Sequence, residues 1–96
     1  MGWTMNPEMR YYQSKPVIVR ATQWSGAVED AHPIIQWVLL GGGMMTWREP
    51  GVLLIETLDE SLTVSPGDWI VRGVGGEFHA CKPGMFKESY LPLGGR

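Results

Sequence analysis

The chain has 96 residues, which is the size of one domain and leaves no room for separate cofactor and substrate domains. Its 8 Lys and Arg against 10 Asp and Glu give a formal net charge of −2, which argues against non-specific binding to nucleic acid or to an acidic membrane surface. The single cysteine, Cys81, excludes an internal disulfide and a zinc site built from several cysteines.

The N-terminal residues carry no recognisable targeting pattern, since no basic region is followed by an apolar core. The longest apolar stretch, 34–40, is far too short to span a membrane. We therefore expect a cytoplasmic globular protein without a membrane partner. Residues 1–14 are predicted to form a mobile leader and 15–96 a single globular domain.

The first predicted element is a strand over 16–24, a segment rich in β-branched residues. Its apolar side chains alternate onto both faces, with Val17, Val19 and Ala21 on one and Ile18, Thr22 and Trp24 on the other. This pattern predicts a strand that is covered on both sides.

One helix is predicted next, from the apolar stripe Val28, Ala31, Ile35, Val38 and Leu39. Pro33 favours a short helix over 33–40 that follows a turn, because proline fits the first helical position and disrupts an interior one. A longer helix from residue 28, kinked at the proline, is the alternative. The three glycines at 41–43 predict its end.

The second half is typical of a β-meander, with strands expected at 44–48, 52–57, 62–64, 69–73 and 77–82. Pro66 and Gly67 predict a tight turn before the fourth of these strands. A helical turn and a last strand are expected within 85–93. The whole pattern predicts an α+β domain, with one short helix and a strongly curved antiparallel sheet or small, partly open barrel of five or six strands.

Cations near predicted strand ends, together with tryptophans, have two interpretations. The favoured one is three core tryptophans and ordinary surface cations. The other is a grip on an anionic nucleotide-like molecule, with charge for phosphate and a ring for the base. The candidate ligand-binding residues are Arg48, Arg72, Lys82, Trp24 and Trp47. Arg72 lies on the opposite strand face from Trp69, so these two would share a site only across a subunit interface. We expect a homo-oligomer, because a core this small leaves little stability in reserve.

Glu77, His79 and Cys81 alternate along one strand face, with Phe78 and Ala80 on the core side. A thiol, an imidazole and a carboxylate are the minimum set for thiolate catalysis and could also ligate a metal. Side chains two residues apart on a strand are about 6.6 Å apart and are not aimed at one another. We therefore favour an inert cysteine and predict neither a catalytic residue, a metal nor a cofactor.

The acid of the predicted turn, Asp68, has two interpretations. It could be a binding or catalytic carboxylate at a loop tip, or it could accept backbone N–H bonds that fix the turn while Trp69 packs inward. The turn role is favoured, because turn chemistry explains each of the four residues 66–69.

The segment 63–83 resembles a family of small bacteriophage and prophage-encoded proteins called PGDYG. The shared residues are Pro66-Gly67-Asp68-Trp69, then Gly73, then Gly76-Glu77-Phe78, then Cys81-Lys82-Pro83. The likeness covers most of 15–92 and departs from the family pattern at His79, Ala80 and Gly84. It implies a phage origin, and location in a bacterial host cell, more than it implies a chemistry.

Stoichiometric binding without turnover is the function that the sequence favours. The first candidate is a counter-defence protein that sequesters an anionic nucleotide-like ligand. The second is an inhibitor that binds a host protein through an exposed edge strand or apolar patch. An enzyme that depends on Cys81 and His79 is the third.

Overall fold

Six strands and two helices make up the described part of the chain, residues 9–11 and 16–93 of a computed structural model. The elements are β1 (Arg20–Gln23), α1 (Val28–Leu40), β2 (Met44–Arg48), β3 (Val52–Glu56), β4 (Ser61–Val64), β5 (Trp69–Arg72), β6 (Phe78–Cys81) and α2 (Pro83–Ser89). The predicted α+β class is confirmed. Most of the leader expected at 1–14 lies outside the described residues.

The strands form two antiparallel sheets of three strands each. Sheet 1 has the order β1-β5-β6, and sheet 2 has the order β2-β3-β4. The described strands neither join into one sheet nor close into a barrel, so the strong curvature expected from the sequence stays a prediction. The long connection through α1 separates β1 from β2, and β1 pairs instead with β5.

Helix α1 runs through Pro33, so the longer of the two predicted helices is present and the short one over 33–40 is wrong. Proline lacks the N–H that would bond to the carbonyl of Glu29, four residues earlier. Glu29 is exposed, so water can replace that bond. Continuing the helix places Ala31 and Ile34 together in the core, which outweighs the loss.

The buried stripe of α1 is narrower than predicted and is rotated from it. Ala31, Ile34 and Val38 are buried at helical spacings of three and four. Val28 and Leu39, which the sequence placed on this stripe, are exposed. The indole N–H of the buried Trp24 donates to the carbonyl of Ala27, the residue before the helix (2.9 Å), and so links the start of α1 to the core.

The predicted glycine stop of α1 is confirmed, and two different requirements select glycine there. Gly42 has φ +90°. The N–H of Gly42 donates to the carbonyl of Leu39 and the N–H of Gly43 donates to the carbonyl of Val38, which is the pattern of a Schellman motif. Gly43 needs no unusual φ. A Cβ at Gly43 would lie 2.8 Å from both the Val38 and Phe78 side chains, so close packing selects glycine.

The core fills the space between the inner faces of the two sheets and α1. Its largest fully buried side chains include Trp24, which directly follows β1, Leu53 and Ile55 from β3, and Ile70 from β5. The ring of Trp47 meets Trp24 edge to face, with centroids 6.0 Å apart. Neither helix of the described residues is long and apolar enough to cross a membrane.

Two predicted strand regions differ from the structure. The strand expected over 16–24 is confined to Arg20–Gln23, and Val17 and Ile18 before it are exposed. The region 85–93 contributes the end of α2, without a final strand in the described part of the chain. Pro83 begins α2, where its missing N–H costs nothing.

Candidate functional site

Trp24 and Trp47 of the predicted nucleotide grip are committed to the core. Trp24 is 0% exposed, and its indole N–H is already donated to Ala27. Trp47 is half-buried and donates its indole N–H to Glu49 (3.2 Å). Both rings pack against the core, Trp24 within it and Trp47 partly buried against it.

Arg72 holds the end of α1 against sheet 1. Its guanidinium donates to the carbonyl of Gly41 (3.3 Å) and lies 5.4 Å from the centroid of the Phe78 ring. A helix C-terminus carries partial negative charge on its free carbonyls, so a cation there is stabilising. The structure thus gives Arg72 a helix-capping contact.

Lys82 forms an ion pair with Asp68, with 3.0 Å between Nζ and Oδ2. The same oxygen accepts the backbone N–H of Ser65 (2.9 Å), and Asp68 is only 3% exposed. The favoured turn role of Asp68 therefore has its expected hydrogen bond. The inward packing expected of Trp69 is wrong, because Trp69 lies on the outer face of sheet 1.

The five candidate grip residues do not form one site. Arg48 is exposed on the outer face of sheet 2, away from the core side that holds Trp47. Arg72 pairs with Phe78, and Lys82 lies four residues further along the same strand direction. At about 3.3 Å per residue, those two cations are separated by roughly 13 Å along sheet 1.

Cys81 and His79 occupy the outer face of β6, and Phe78 and Ala80 face the core, as predicted. Both Cys81 and His79 are half-buried, and the Cys81 thiol lies 3.6 Å from the carbonyl of Lys82. Within residues 9–11 and 16–93, no group of three or more His, Cys, Asp and Glu side chains is placed to hold a metal ion.

A large cleft lies on the outer face of sheet 1, with a volume of about 880 Å³. Its floor is formed by Ala21, Gln23 and Trp69, and its walls are the chain before β1 (16–19) and the chain from α2 onward (83–93). We call this feature the aromatic cleft. The volume lies in the range of natural ligand sites, about 300–1,000 Å³.

Three aromatic rings in contact build one side of the aromatic cleft. Trp69 and Phe86 lie parallel with centroids 3.8 Å apart, and Tyr90 lies 4.9 Å beyond Phe86. The rim is also apolar and open to solvent. It is formed by aliphatic side chains that are each at least half exposed, namely Val17, Ile18, Leu91 and Leu93. Lys87 is the one charged side chain among the described lining residues.

Sequence reasoning missed Trp69, Phe86 and Tyr90 as members of one site. The sequence contained one indication of this site. The alternation of Val17, Val19 and Ala21 predicts an apolar face on the first strand, and the sequence analysis named no element that packs against it. A strand face that needs a cover predicts a second apolar element against it. That element is α2, which the sequence analysis reduced to one helical turn.

The fold and the cleft define a small α+β domain with an apolar site. No family model matches the chain, and comparison with curated proteins and with solved structures gives no match. The resemblance to PGDYG proteins and the phage origin that it implies therefore stay predictions.

Proposed function

We propose that this protein acts by stoichiometric binding and that its aromatic cleft takes an apolar segment of a partner protein. The single observation that carries the proposal is the cleft of about 880 Å³ with a largely apolar floor, an aromatic wall and an exposed apolar rim. Contiguous apolar surface of this kind marks interaction sites on soluble proteins. The proposal corresponds to the second sequence candidate, an inhibitor that binds a host protein.

A protein segment fits this cleft better than a nucleotide does. A nucleotide needs cations at its phosphates, and Lys87 is the one charged side chain among the described lining residues. A small molecule would also leave the rim residues Ile18 and Leu91 in water, where they are 74% and 88% exposed. A protein surface can cover the floor and the rim together.

A charge placed on the rim tests this function. The full chain is used to select binders from a library of random peptides of about twelve residues, and affinities are measured for the natural chain and for Ile18→Glu. Because Ile18 is 74% exposed, the substitution leaves the fold intact, and burying the new carboxylate on binding should weaken affinity at least tenfold.

The matched control is Leu58→Glu, which adds the same charge at an equally apolar residue in the turn between β3 and β4, where Leu58 is fully exposed. We expect it to bind like the natural chain. Failure to select any peptide, or equal binding by Ile18→Glu, would refute the proposal. A rise in melting temperature with cyclic or adenine nucleotides, without peptide binding, would instead favour the nucleotide candidate.

A further inference from the structure

The edge of sheet 1 at β1 is open in the described part of the chain. β1 pairs with β5 on one side, and its other side has no strand neighbour. Such an edge presents backbone N–H and C=O groups that can pair with another chain.

The backbone groups on this open side can be identified. The N–H of Trp24 donates to the carbonyl of Asp68 (3.0 Å), so residue 24 belongs to a hydrogen-bonded pair with the β5 side. Antiparallel pairs alternate between bonded and non-bonded, so Thr22 also directs its N–H and C=O toward β5. Ala21 and Gln23 therefore direct theirs outward, toward the open edge.

Two depressions flank this edge, one on each face of the sheet. The aromatic cleft begins at Ala21 and Gln23 on the outer face. A groove of about 230 Å³ separates β1 from α1 on the inner side, and its lining includes Thr22, Ile34 and Trp37. A strand added beside β1 would direct alternate side chains into the cleft and toward the groove, because successive strand residues point to opposite faces.

Charge at the start of β1 indicates which side chain a segment paired there would need. Arg20 and Arg72 lie directly opposite each other on β1 and β5, an arrangement that is destabilising for like charges. Arg72 is tied to the Gly41 carbonyl, whereas Arg20 is exposed and has no carboxylate contact within residues 9–11 and 16–93. An acidic side chain opposite Arg20 would balance this pair.

From these features we infer that the partner segment binds as an added strand on the open edge of β1. Its apolar side chains lie opposite Ala21 and Gln23 and enter the aromatic cleft, and an Asp or Glu lies opposite Arg20. The inferred ligand is thus an extended peptide that alternates apolar residues and carries one acid at the Arg20 end. This inference rests on the proposed function and adds the binding mode and the chemistry of the partner.

Hydrogen exchange of the full chain with a defined peptide set tests the binding mode. The probes are capped octapeptides with apolar residues at alternate positions and one Glu, which is moved through the sequence or replaced by Gln or Lys. With the best binder, exchange of the Ala21 and Gln23 amides should slow at least tenfold as they gain partners, while the Thr22 amide, already paired with β5, changes little. Unchanged exchange at Ala21 and Gln23 would overturn the inference.

Two changes on the peptide and the protein test the same contacts separately. Methylation of the peptide nitrogens that face β1 should weaken binding at least tenfold, because it removes the donors of the added strand. Ala21→Pro should have the same effect with little loss of stability, since its N–H faces outward. Equal affinity of methylated and unmodified peptides would overturn strand addition even if the proline variant failed to fold.

A charge swap tests the acid. Arg20→Glu should reverse the preference from Glu-containing to Lys-containing peptides. An unchanged preference would show that the partner needs no acid opposite residue 20.

If peptides bind, and Ile18→Glu weakens their binding without any change in exchange at the β1 amides, the cleft function stands and strand addition fails. If no peptide binds, the proposed function itself fails. A chain dimer that pairs β1 with a second copy and excludes the peptides would also overturn the inference, and light scattering detects it.

Discussion

The rings of Trp69 and Phe86 lie face to face, with 3.8 Å between centroids and 4° between ring planes. Trp69 belongs to β5 and Phe86 to α2, so this stack joins the short helix to the outer face of sheet 1. No residue of α2 is fully buried. The helix is therefore held to the sheet largely by this one aromatic contact.

Replacing Phe86 by Ala should detach α2 and leave the rest of the domain folded. The lost contact is half-buried, so we expect a decrease of about 1–2 kcal/mol in the free energy of unfolding, less than for a core phenylalanine. Denaturant unfolding measures the change, and Leu91→Ala is the control, because Leu91 is 88% exposed. A loss as large for Leu91→Ala as for Phe86→Ala would show that the stack is not the attachment.

Removing Asp68 should lower the free energy of unfolding more than removing its ion-pair partner Lys82. Asp68→Ala leaves the partly buried backbone N–H of Ser65 without its acceptor, for which we expect a loss of about 1–3 kcal/mol. Lys82→Ala should cost less than about 1 kcal/mol, because the Lys82 side chain is 68% exposed and the pair is screened by water. Equal losses in the two variants, measured by denaturant unfolding, would contradict the turn role assigned to Asp68.

The glycines after α1 should respond differently to substitution. Gly42 has φ +90° and open space around it, so Asn, which tolerates this conformation, should be accepted better than Ala. Gly43→Ala should cost about 1–3 kcal/mol, because the new Cβ would overlap Phe78 and Val38. Thermal melts of the three variants check this order, and a harmless Gly43→Ala would show that the Phe78 ring can move aside.

Cys81→Ala should leave peptide binding unchanged, because Cys81 does not line the aromatic cleft. The change is small and occurs at a half-buried position, so the fold should also be retained. Affinity for the selected peptides and the melting temperature are the two readouts. Weaker peptide binding with the fold intact would contradict the placement of Cys81 outside the binding site.

Local sequence signals predicted most strand positions and turns. Strand β2 lies at the predicted residues, and β3 to β6 differ from prediction by one residue at one or both ends. The turn at Pro66 and Gly67 was predictable because proline followed by glycine favours a tight turn with a positive φ at the glycine. Gly67 has φ +91° in the structure. These features depend on neighbours in the sequence, so the sequence alone contains the relevant information.

Features that depend on distant residues were not predictable. Helix α1 continues through Pro33 because Ala31 and Ile34 share a core with both sheets, a benefit that local propensity does not contain. The cation and ring candidates were judged by sequence proximity to strand ends. The structure instead divides them between the two sheets: Trp24 and Arg72 lie on the core side of sheet 1, and Trp47 and Arg48 lie on opposite faces of β2. Pairing of β1 with β5 assembles the cleft from both halves of the chain.

Trp24 has a consequence for how the open edge of β1 behaves before a partner arrives. Its indole N–H donates to the carbonyl of Ala27 at the start of α1. Its backbone N–H donates to the carbonyl of Asp68, and its backbone carbonyl accepts the N–H of Gly67. One residue thus anchors the end of the strand to a helix and a turn, so β1 cannot fray on its own at that end. The acceptor is rigid in advance, and the entropy lost on association falls mainly on the incoming peptide.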